Sequence, residues 1–360
     1  MDKKVLVIGG KHPKYDSRVW KSVKALSKSA YVYYQYYTSK DERETEERNI
    51  YYIPVNKQKE NLAKKLKTLS KTLDYDVLYI HHFAPERPLE IFKIAKRRGK
   101  MVVYDIHEYY PINYTETALR HFPFLKILAR LIESYFEKVF KTQLMLSDKL
   151  IFISHDFKRM IESKYGNVKE SIVVYNSPEK FFIPRPLKER KKEIVFFGLS
   201  PRGFSKEDAD ILNELNKMGF DIVFIGIKDA DDLKGIKISF VDFLPYEELI
   251  ERVSYSTFSW CLFKLSDPRI ISYTMPNKVL ESICAGTPVI ISEEFTSASK
   301  FVKENFAGVV INPKKKSESI QKILEYLENY DENISELGKH QESVYWSEEA
   351  QKKLAEFVLL

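Results

Sequence analysis

Short runs of β-branched and aromatic residues alternate with stretches of helical period along this chain, and the alternation is played out twice. The first set of runs lies at 3–10, 30–37, 51–55, 77–80, 101–105, 149–153 and 172–175. Helical patterns separate several of them, notably 57–72, 89–98 and an amphipathic stretch over 16–28 with Asp16 as its cap and Val19, Val23 and Leu26 inward. Runs of strand length, each followed by a helix, predict an α/β domain with a parallel sheet covered on both faces. A second set follows at 194–198, 222–226, 238–241, 258–263, 289–291 and 308–311. Between the sets, a stretch with three prolines, dense charge and no period reads as a linker. We therefore expect two Rossmann-like domains, 1–178 and 194–344, joined by a linker over 179–193 and closed by a last helix over 345–360.

At 360 residues the chain exceeds what one core usually supports, and 44% hydrophobic and 14% aromatic content excludes a disordered chain. Its two cysteines, Cys261 and Cys284, sit inside apolar runs with neither disulfide nor metal-ligand spacing, as expected in a reducing compartment. No apolar run approaches the ~18 residues of a membrane span, and the first residues lead into a strand instead of a secretory segment. A cytoplasmic protein is the expectation. Residues 1–180 carry 34 Lys and Arg against 22 Asp and Glu, so a net charge of +7 hides a basic first half and an acidic second. That asymmetry suits an anionic membrane surface or a phosphorylated acceptor, and equally a Lys-rich solvated surface. Residues 122–145 read as one long helix with Leu125, Leu128, Ile132 and Phe136 on one face, packing on the sheet or resting on a membrane through its basic residues and aromatics.

In parallel sheets ligands bind outside the carboxyl ends of the strands, which draws attention to the residues just past each run. These are Gly9 and Gly10, His81 and His82, His107 and Glu108, Ser154 and His155, and Asn176. Gly9 and Gly10 lack the rest of a dinucleotide fingerprint. The richest stretch is 270–291. Its middle reads as a short helix closed by Gly286, with Val279, Leu280, Ile283 and Cys284 on an apolar face and Lys278, Glu281 and Ser282 on the other. Pro276 suits the first turn, or Asn277 caps it, so the N–H groups and positive dipole end open beside Lys278 as an anion site. Glu281 stands one turn deeper, roughly 4 to 5 Å along the axis, where it can accept hydrogen bonds from a diol. A phosphate followed by sugar hydroxyls describes a nucleotide. An exposed Lys278–Glu281 pair on a plain surface helix is the alternative from spacing alone.

The segments Tyr273-Thr-Met-Pro-Asn-Lys-Val-Leu-Glu281 and Ala285-Gly-Thr-Pro-Val289 resemble the donor-binding segment of family 4 glycosyltransferases, whose fold is GT-B. The resemblance implies two Rossmann-like domains facing each other across a cleft, a closing helix from Tyr345-Trp-Ser-Glu348 that returns to the first domain, and Glu281 on the ribose of the donor. Tyr104-Asp-Ile-His-Glu108 resembles the family's Asp-x-His-Glu segment, which implies that His107 reaches the transferred sugar and the acceptor. Tyr15-Asp-Ser-Arg18 resembles the Asp-x-Arg signature, where we read Asp16 as a helix cap and Arg18 as a loop brace. In the turn 198–206, Leu199 stands where the family has an arginine, and Arg202 and Lys206 are the candidates for the donor diphosphate. Val241-Asp-Phe-Leu-Pro245 resembles the segment that reads the base edge near Phe243. The family's second glutamate, eight positions before Glu281, is Tyr273 here.

The resemblance implies a retaining transferase that moves a hexose-type sugar from a nucleoside diphosphate sugar to a hydroxyl of a glycan or lipid-linked acceptor. The expected catalytic residues are His107, Lys278 and Arg202, and the expected donor-binding residues Gly10, Lys206, Phe243, Asn277, Glu281 and Ser282. Fixed cations and N–H groups would stabilise the departing phosphate, so neither a metal nor a further cofactor is expected. No nucleic-acid reader motif is present in the sequence. The rival readings are a nucleotide-sugar epimerase, for which Glu108 lacks a partner carboxylate, and a non-catalytic nucleotide-sugar-binding subunit.

Overall fold

The computed structural model describes residues 3–81, 89–166, 169–198, 203–227, 230–262 and 268–360. The chain forms two compact units, one of residues 1–175 with 348–360 and the other of residues 176–347.

The first unit runs β1 (Lys4–Ile8), α1 (Ser17–Ser27), β2 (Tyr31–Thr38), β3 (Thr45–Glu47), β4 (Ile50–Asn56), α2 (Leu62–Thr72), β5 (Val77–Ile80) and α3 (Glu90–Arg97). It continues through β6 (Met101–Ile106), α4 (Tyr110–His121), α5 (Ala129–Leu146), β7 (Lys149–Phe152), α6 (His155–Tyr165) and β8 (Glu170–Val173). Its sheet has the order β3-β4-β2-β1-β5-β6-β7-β8. Strand β1 is central and fully buried from Val5 to Ile8, which explains its unbroken apolar run. The expected all-parallel sheet is corrected at one edge: β3 pairs antiparallel with β4, and its Thr-Glu-Glu sequence, wholly exposed, carries no apolar signal.

The second unit runs β9 (Lys191–Phe197), α7 (Lys206–Lys217), β10 (Asp221–Ile225), β11 (Ile238–Val241), α8 (Tyr246–Ser254), β12 (Ser256–Trp260) and α9 (Asn277–Cys284). Then come β13 (Val289–Ser292), α10 (Thr296–Glu304), β14 (Gly308–Ile311), α11 (Lys316–Glu328) and α12 (Tyr330–Gln341). Its parallel sheet has the order β11-β10-β9-β12-β13-β14. Alternation along β9 divides the core: Ile194 and Phe196 join Leu212 and Phe224 on one face, while Val195 and Phe197 join Ile225 and Val253 on the other. Both cysteines are free and buried. The last helix, α13 (Glu348–Leu359), belongs to the first unit, where Lys149 Nζ donates to the Phe357 carbonyl at 2.8 Å and Lys28 reaches Gln351 at 2.8 Å.

Residues 122–145 are not one helix. A 3-10 segment over Pro123–Leu128 precedes α5, because Pro123 cannot continue the hydrogen-bonded ladder of α4 and restarts the chain. Of the apolar face Leu125, Leu128, Ile132 and Phe136, Leu128 is 42% exposed and the others are half-buried, while the fully buried side of α5 is Val139, Phe140, Gln143 and Leu144. Among the described residues no helix is long and apolar enough to cross a membrane.

Candidate active site

In the first unit the polar residues gather at the carboxyl ends of β1, β5 and β6. Asp105, the fifth residue of β6, is 1% exposed and held from two sides. Arg18 Nε donates to its two oxygens at 3.1 and 3.2 Å and Arg18 Nη2 to Oδ1 at 2.6 Å, while the Tyr79 hydroxyl donates to Oδ2 at 2.9 Å. Arg18 Nη1 also donates to the Val174 carbonyl at 2.7 Å, tying α1 to the chain after β8. Burial works against the guanidinium charge, but Asp105 outweighs it and raises the Arg18 pKa. The brace expected of Arg18 is thus a buried ion pair. Asp16 is the N-cap of α1, accepting from the backbone N–H of Arg18 and Val19 at 3.2 Å each.

His81 and His107 lie on this foundation. His81 Nδ1 is 3.2 Å from His107 Nε2 and 3.3 Å from Asp105 Oδ2. Burial pushes His81 down to about 4; burial first, then Arg18 and the neighbouring histidines, pushes His107 well below its ordinary range. Both rings are therefore neutral near pH 7, and His107 serves as a hydrogen-bonding group and not as a cation. His81, Asp105 and His107 offer ligand atoms within 4.8 Å of one another, a spacing a metal could use. Arg18 and Tyr79 already occupy the Asp105 oxygens, however, and a second cation 3 to 4 Å from the guanidinium would be repelled by several kcal/mol at an effective dielectric of ~20. The cluster reads as a charge-balanced network.

Above it opens a pocket of ≈ 330 Å³ lined by Lys11, His12, His107, Glu108, Tyr110, Asn113, Tyr114 and Thr117. His12 Nδ1 pairs with Asp16 Oδ2 at 2.9 Å, and burial, which would raise the Asp16 pKa, is overcome by this hydrogen bond and by the charge of His12, so the carboxyl is held low. Tyr114 leans on Tyr110 and Phe136 with ring centroids 6.0 and 5.7 Å away. Lys11 and His12 escaped the sequence reading because attention to the strand ends stopped at the two glycines. Gly10 adopts φ +61, and its N–H and carbonyl both bond the Gln35 side chain, at 2.8 and 3.1 Å. Its N–H is therefore engaged within the fold and is not free to bind the sugar donor as expected of Gly10. His82 lies outside the described residues.

In the second unit, Gly198, Gly226, Phe243 and Lys278 meet at the carboxyl ends of β9, β10 and β11. Gly226 has φ +76, and a Cβ there would come within 2.9 Å of the Gly198 carbonyl oxygen and 3.9 Å of the Phe243 ring, so only glycine permits this approach. A Cβ on Gly198 would sit 3.4 and 3.5 Å from Lys278 Cε and Nζ. The Lys278 ammonium stands 3.3 Å from the centroid of Phe196 and next to the glycine turn. Helix α9 begins with Pro276 in the N-cap position and has no side-chain cap; the Val279 N–H bonds back to the Pro276 carbonyl at 3.0 Å, and the positive end of the helix lies beside Lys278. Asn277 is exposed at the first helical position and does not cap. Gly286, at φ +70, ends the helix as the spacing predicts.

Glu281 is half-buried on α9, and its carboxylate lies near Tyr246, the first residue of α8. Burial and the Glu281 charge both raise the Tyr246 pKa, so the hydroxyl stays protonated beside the carboxylate. Ser282 is a correction: it is 0% exposed, and its hydroxyl donates to Ser259 Oγ at 2.7 Å on β12. At 100° per residue it turns from the Glu281 side into the packed side of α9, so it anchors the helix instead of facing a ligand. Lys206 is exposed at the start of α7, behind a capping box in which Ser205 and Asp208 exchange hydrogen bonds. Phe243 is 66% exposed. Arg202 and Leu199 lie outside the described residues.

Residues 227–352 match the model of the family described as glycosyl transferases group 1. Curated proteins gave no match. Solved structures match over nearly the full chain at low identity. An alpha-glucosyltransferase in complex with UDP and a 13-mer DNA containing a HMU base is 14% identical, with a TM-score of 0.63 over 99% of this chain and 100% of that one. Sucrose-phosphate synthase from Thermosynechococcus elongatus is 12% identical, with a TM-score of 0.65 over 98% of each chain. An Escherichia coli protein bound with UDP-2-fluoro glucose is 12% identical, with a TM-score of 0.62 over 98% of this chain and 97% of that one. The fold is that of these GT-B proteins, and with the group 1 segment in its second unit the chain is a glycosyltransferase.

Proposed function

We propose that the chain transfers a hexose-type sugar from a UDP-sugar to a hydroxyl of a glycan or lipid-linked acceptor at the cytoplasmic face, with retention at the anomeric carbon and without a metal. The observation that carries this reading is the start of α9: a helix end without a side-chain cap and Lys278 beside the Gly198 turn, with Glu281 one turn deeper. The UDP and UDP-2-fluoro glucose in two structures of the same fold support a uridine nucleotide as the donor's leaving part.

Cleaving the bond between sugar and diphosphate builds negative charge on the departing oxygen. Lys278 and the N–H groups of α9 stabilise that charge from fixed positions, and Arg202 and Lys206 extend the same role along the diphosphate. Glu281 holds the ribose hydroxyls and so fixes the register of the donor. Phe243 flanks the base and Asn277 the phosphates. Tyr273, 8% exposed, supplies no carboxylate nucleophile. The acceptor hydroxyl then attacks from the side the phosphate leaves, and the departing oxygen takes its proton. His107, neutral, orients the sugar or the acceptor hydroxyl by hydrogen bonding.

The test is a melting screen with nucleotides and nucleotide sugars, followed by transfer assays with NMR of the product's anomeric proton. UDP should raise the melting temperature in proportion to the logarithm of its saturation. Lack of stabilisation by any nucleoside diphosphate, or a new nucleotide sugar formed without acceptor, would sink the proposal.

A further inference from the structure

The segment after α4 carries a set of large apolar side chains that stand exposed within the described first unit. Phe124 is 76% exposed, Ile127 90% and Leu131 68%, with Phe122 and Tyr135 about half exposed. Apolar side chains scattered singly over a surface need no explanation, whereas a run this dense in one hairpin does. On α5, Leu131, Tyr135, Lys138 and Met145 fall within about 80° of one another at 100° per residue, opposite the buried Phe140. The outward face thus carries Leu131, Tyr135 and Met145 with Lys138 among them.

The exposed charges of the stretch are positive. Between 116 and 141 the five Lys and Arg residues, Arg120, Lys126, Arg130, Lys138 and Lys141, are all exposed. The three acids of the same stretch, Glu116, Glu133 and Glu137, are all half-buried, and Glu137 is bound by Lys164, Tyr109 and Tyr165. Apolar residues ringed by exposed cations, with no exposed carboxylate, complement an anionic bilayer, where long basic side chains reach the headgroups as the apolar ones enter the acyl boundary.

We propose that this hairpin, the 3-10 segment with the outer face of α5, docks the enzyme on an anionic membrane surface and that its acceptor is carried by a lipid. The second part rests on the glycosyltransferase reading above and on helix α4. Four of its first eight residues, Tyr110, Asn113, Tyr114 and Thr117, line the pocket, and its end runs into the apolar segment. From Tyr114 to His121 the axis advances about 10 Å, close to the depth of a headgroup layer. A docked hairpin therefore sets the pocket at the level of a lipid's polar head, where an accepting hydroxyl would lie.

The experiment is flotation of the full chain with vesicles of phosphatidylcholine alone and with 30 mol% phosphatidylglycerol (about that share), alongside Phe124→Glu, Ile127→Glu and the double variant. Both positions are exposed, so the fold tolerates the changes, and an unchanged melting shift with UDP checks donor binding separately. The wild type should float with the anionic vesicles, bind less at high salt, and lose roughly tenfold in partitioning for each substitution. A wild type that stays behind with both vesicles, or variants that float as well as it does, would overturn the docking surface while leaving the UDP result untouched. Dimers that Phe124→Glu dissociates, with no vesicle binding, would also overturn it in favour of a second copy on this face.

Discussion

Replacing Arg18 by Met tests whether the foundation beneath His107 is built as described. The side chain makes three N–H contacts to Asp105, between 2.6 and 3.2 Å, and one to the Val174 carbonyl at 2.7 Å. Arg18 and Asp105 are 6% and 1% exposed, so removing one partner leaves a carboxylate in a place water scarcely reaches. The expected cost is about 3 to 5 kcal/mol, or a fall of roughly 6 to 20 °C in the melting temperature of a unit of this size. Arg18→Met with Asp105→Leu should recover much of that loss, because the penalty comes from the unpaired charge and not from the missing volume. Arg18 also lowers the His107 pKa, second only to burial. In histidine-labelled protein the His107 resonance of Arg18→Met should therefore titrate at higher pH than in the wild type. A loss under about 1 kcal/mol, or a His107 titration that stays put or moves down, would refute the arrangement.

His81 is neutral and buried at about 4 in the folded chain, whereas an unfolded histidine takes its proton near 6.5. Its contribution is present above pH 6.5 and lost as the pH falls from there through 4, by roughly 3 kcal/mol, with Asp16, also held low, adding in the same direction further down. Melting curves across that window should show the decline, and His81→Asn should flatten it. Lys278→Ala should lower kcat about a hundredfold or more with a smaller change in KM, since it acts on charge that develops on the leaving group; an unchanged kcat in steady-state assays would remove Lys278 from catalysis. Gly226→Ala sets a Cβ 2.9 Å from the Gly198 carbonyl at a positive φ and should destabilise the protein by roughly 1 to 3 kcal/mol. A neutral result in denaturant titration would mean the glycine turns are not in contact.

The two sheets were legible because their strands are covered on both faces: Val5 to Ile8 and Val289 to Ile291 are fully buried and read as unbroken apolar runs. Strand β3 was invisible for the opposite reason, being polar, exposed and paired only at an edge. Residues 122–145 misled because helical periodicity reports an apolar stripe without saying what faces it, and here part of that stripe faces water. In the site, Lys278 and Glu281 stood out through their spacing behind Pro276. Ser282 was misassigned because one residue's rotation on an eight-residue helix decides between ligand and core. His12, Lys11 and Tyr246 gain their roles from side chains and turns that meet only once the strands are stacked side by side, and single-strand patterns do not encode that.

Tyr246 deserves its own test because it separates binding the donor from orienting the group that binds it. Its hydroxyl lies near enough to Glu281 for that charge to raise its pKa, and a hydrogen bond formed between them when the donor binds would be worth about 1 kcal/mol. Tyr246→Phe should therefore raise KM for the nucleotide sugar about fivefold with kcat nearly unchanged, since the ribose lies away from the breaking bond and its contacts are the same in ground and transition states. Glu281→Gln should raise KM more. If Tyr246 works only through Glu281, the double variant should be no worse than Glu281→Gln alone, a coupling of about 1 kcal/mol in the cycle. Strict additivity would place Tyr246 on the donor by a separate contact, and a fall in kcat with KM unchanged would show that Glu281 acts on the reacting centre and not on the ribose.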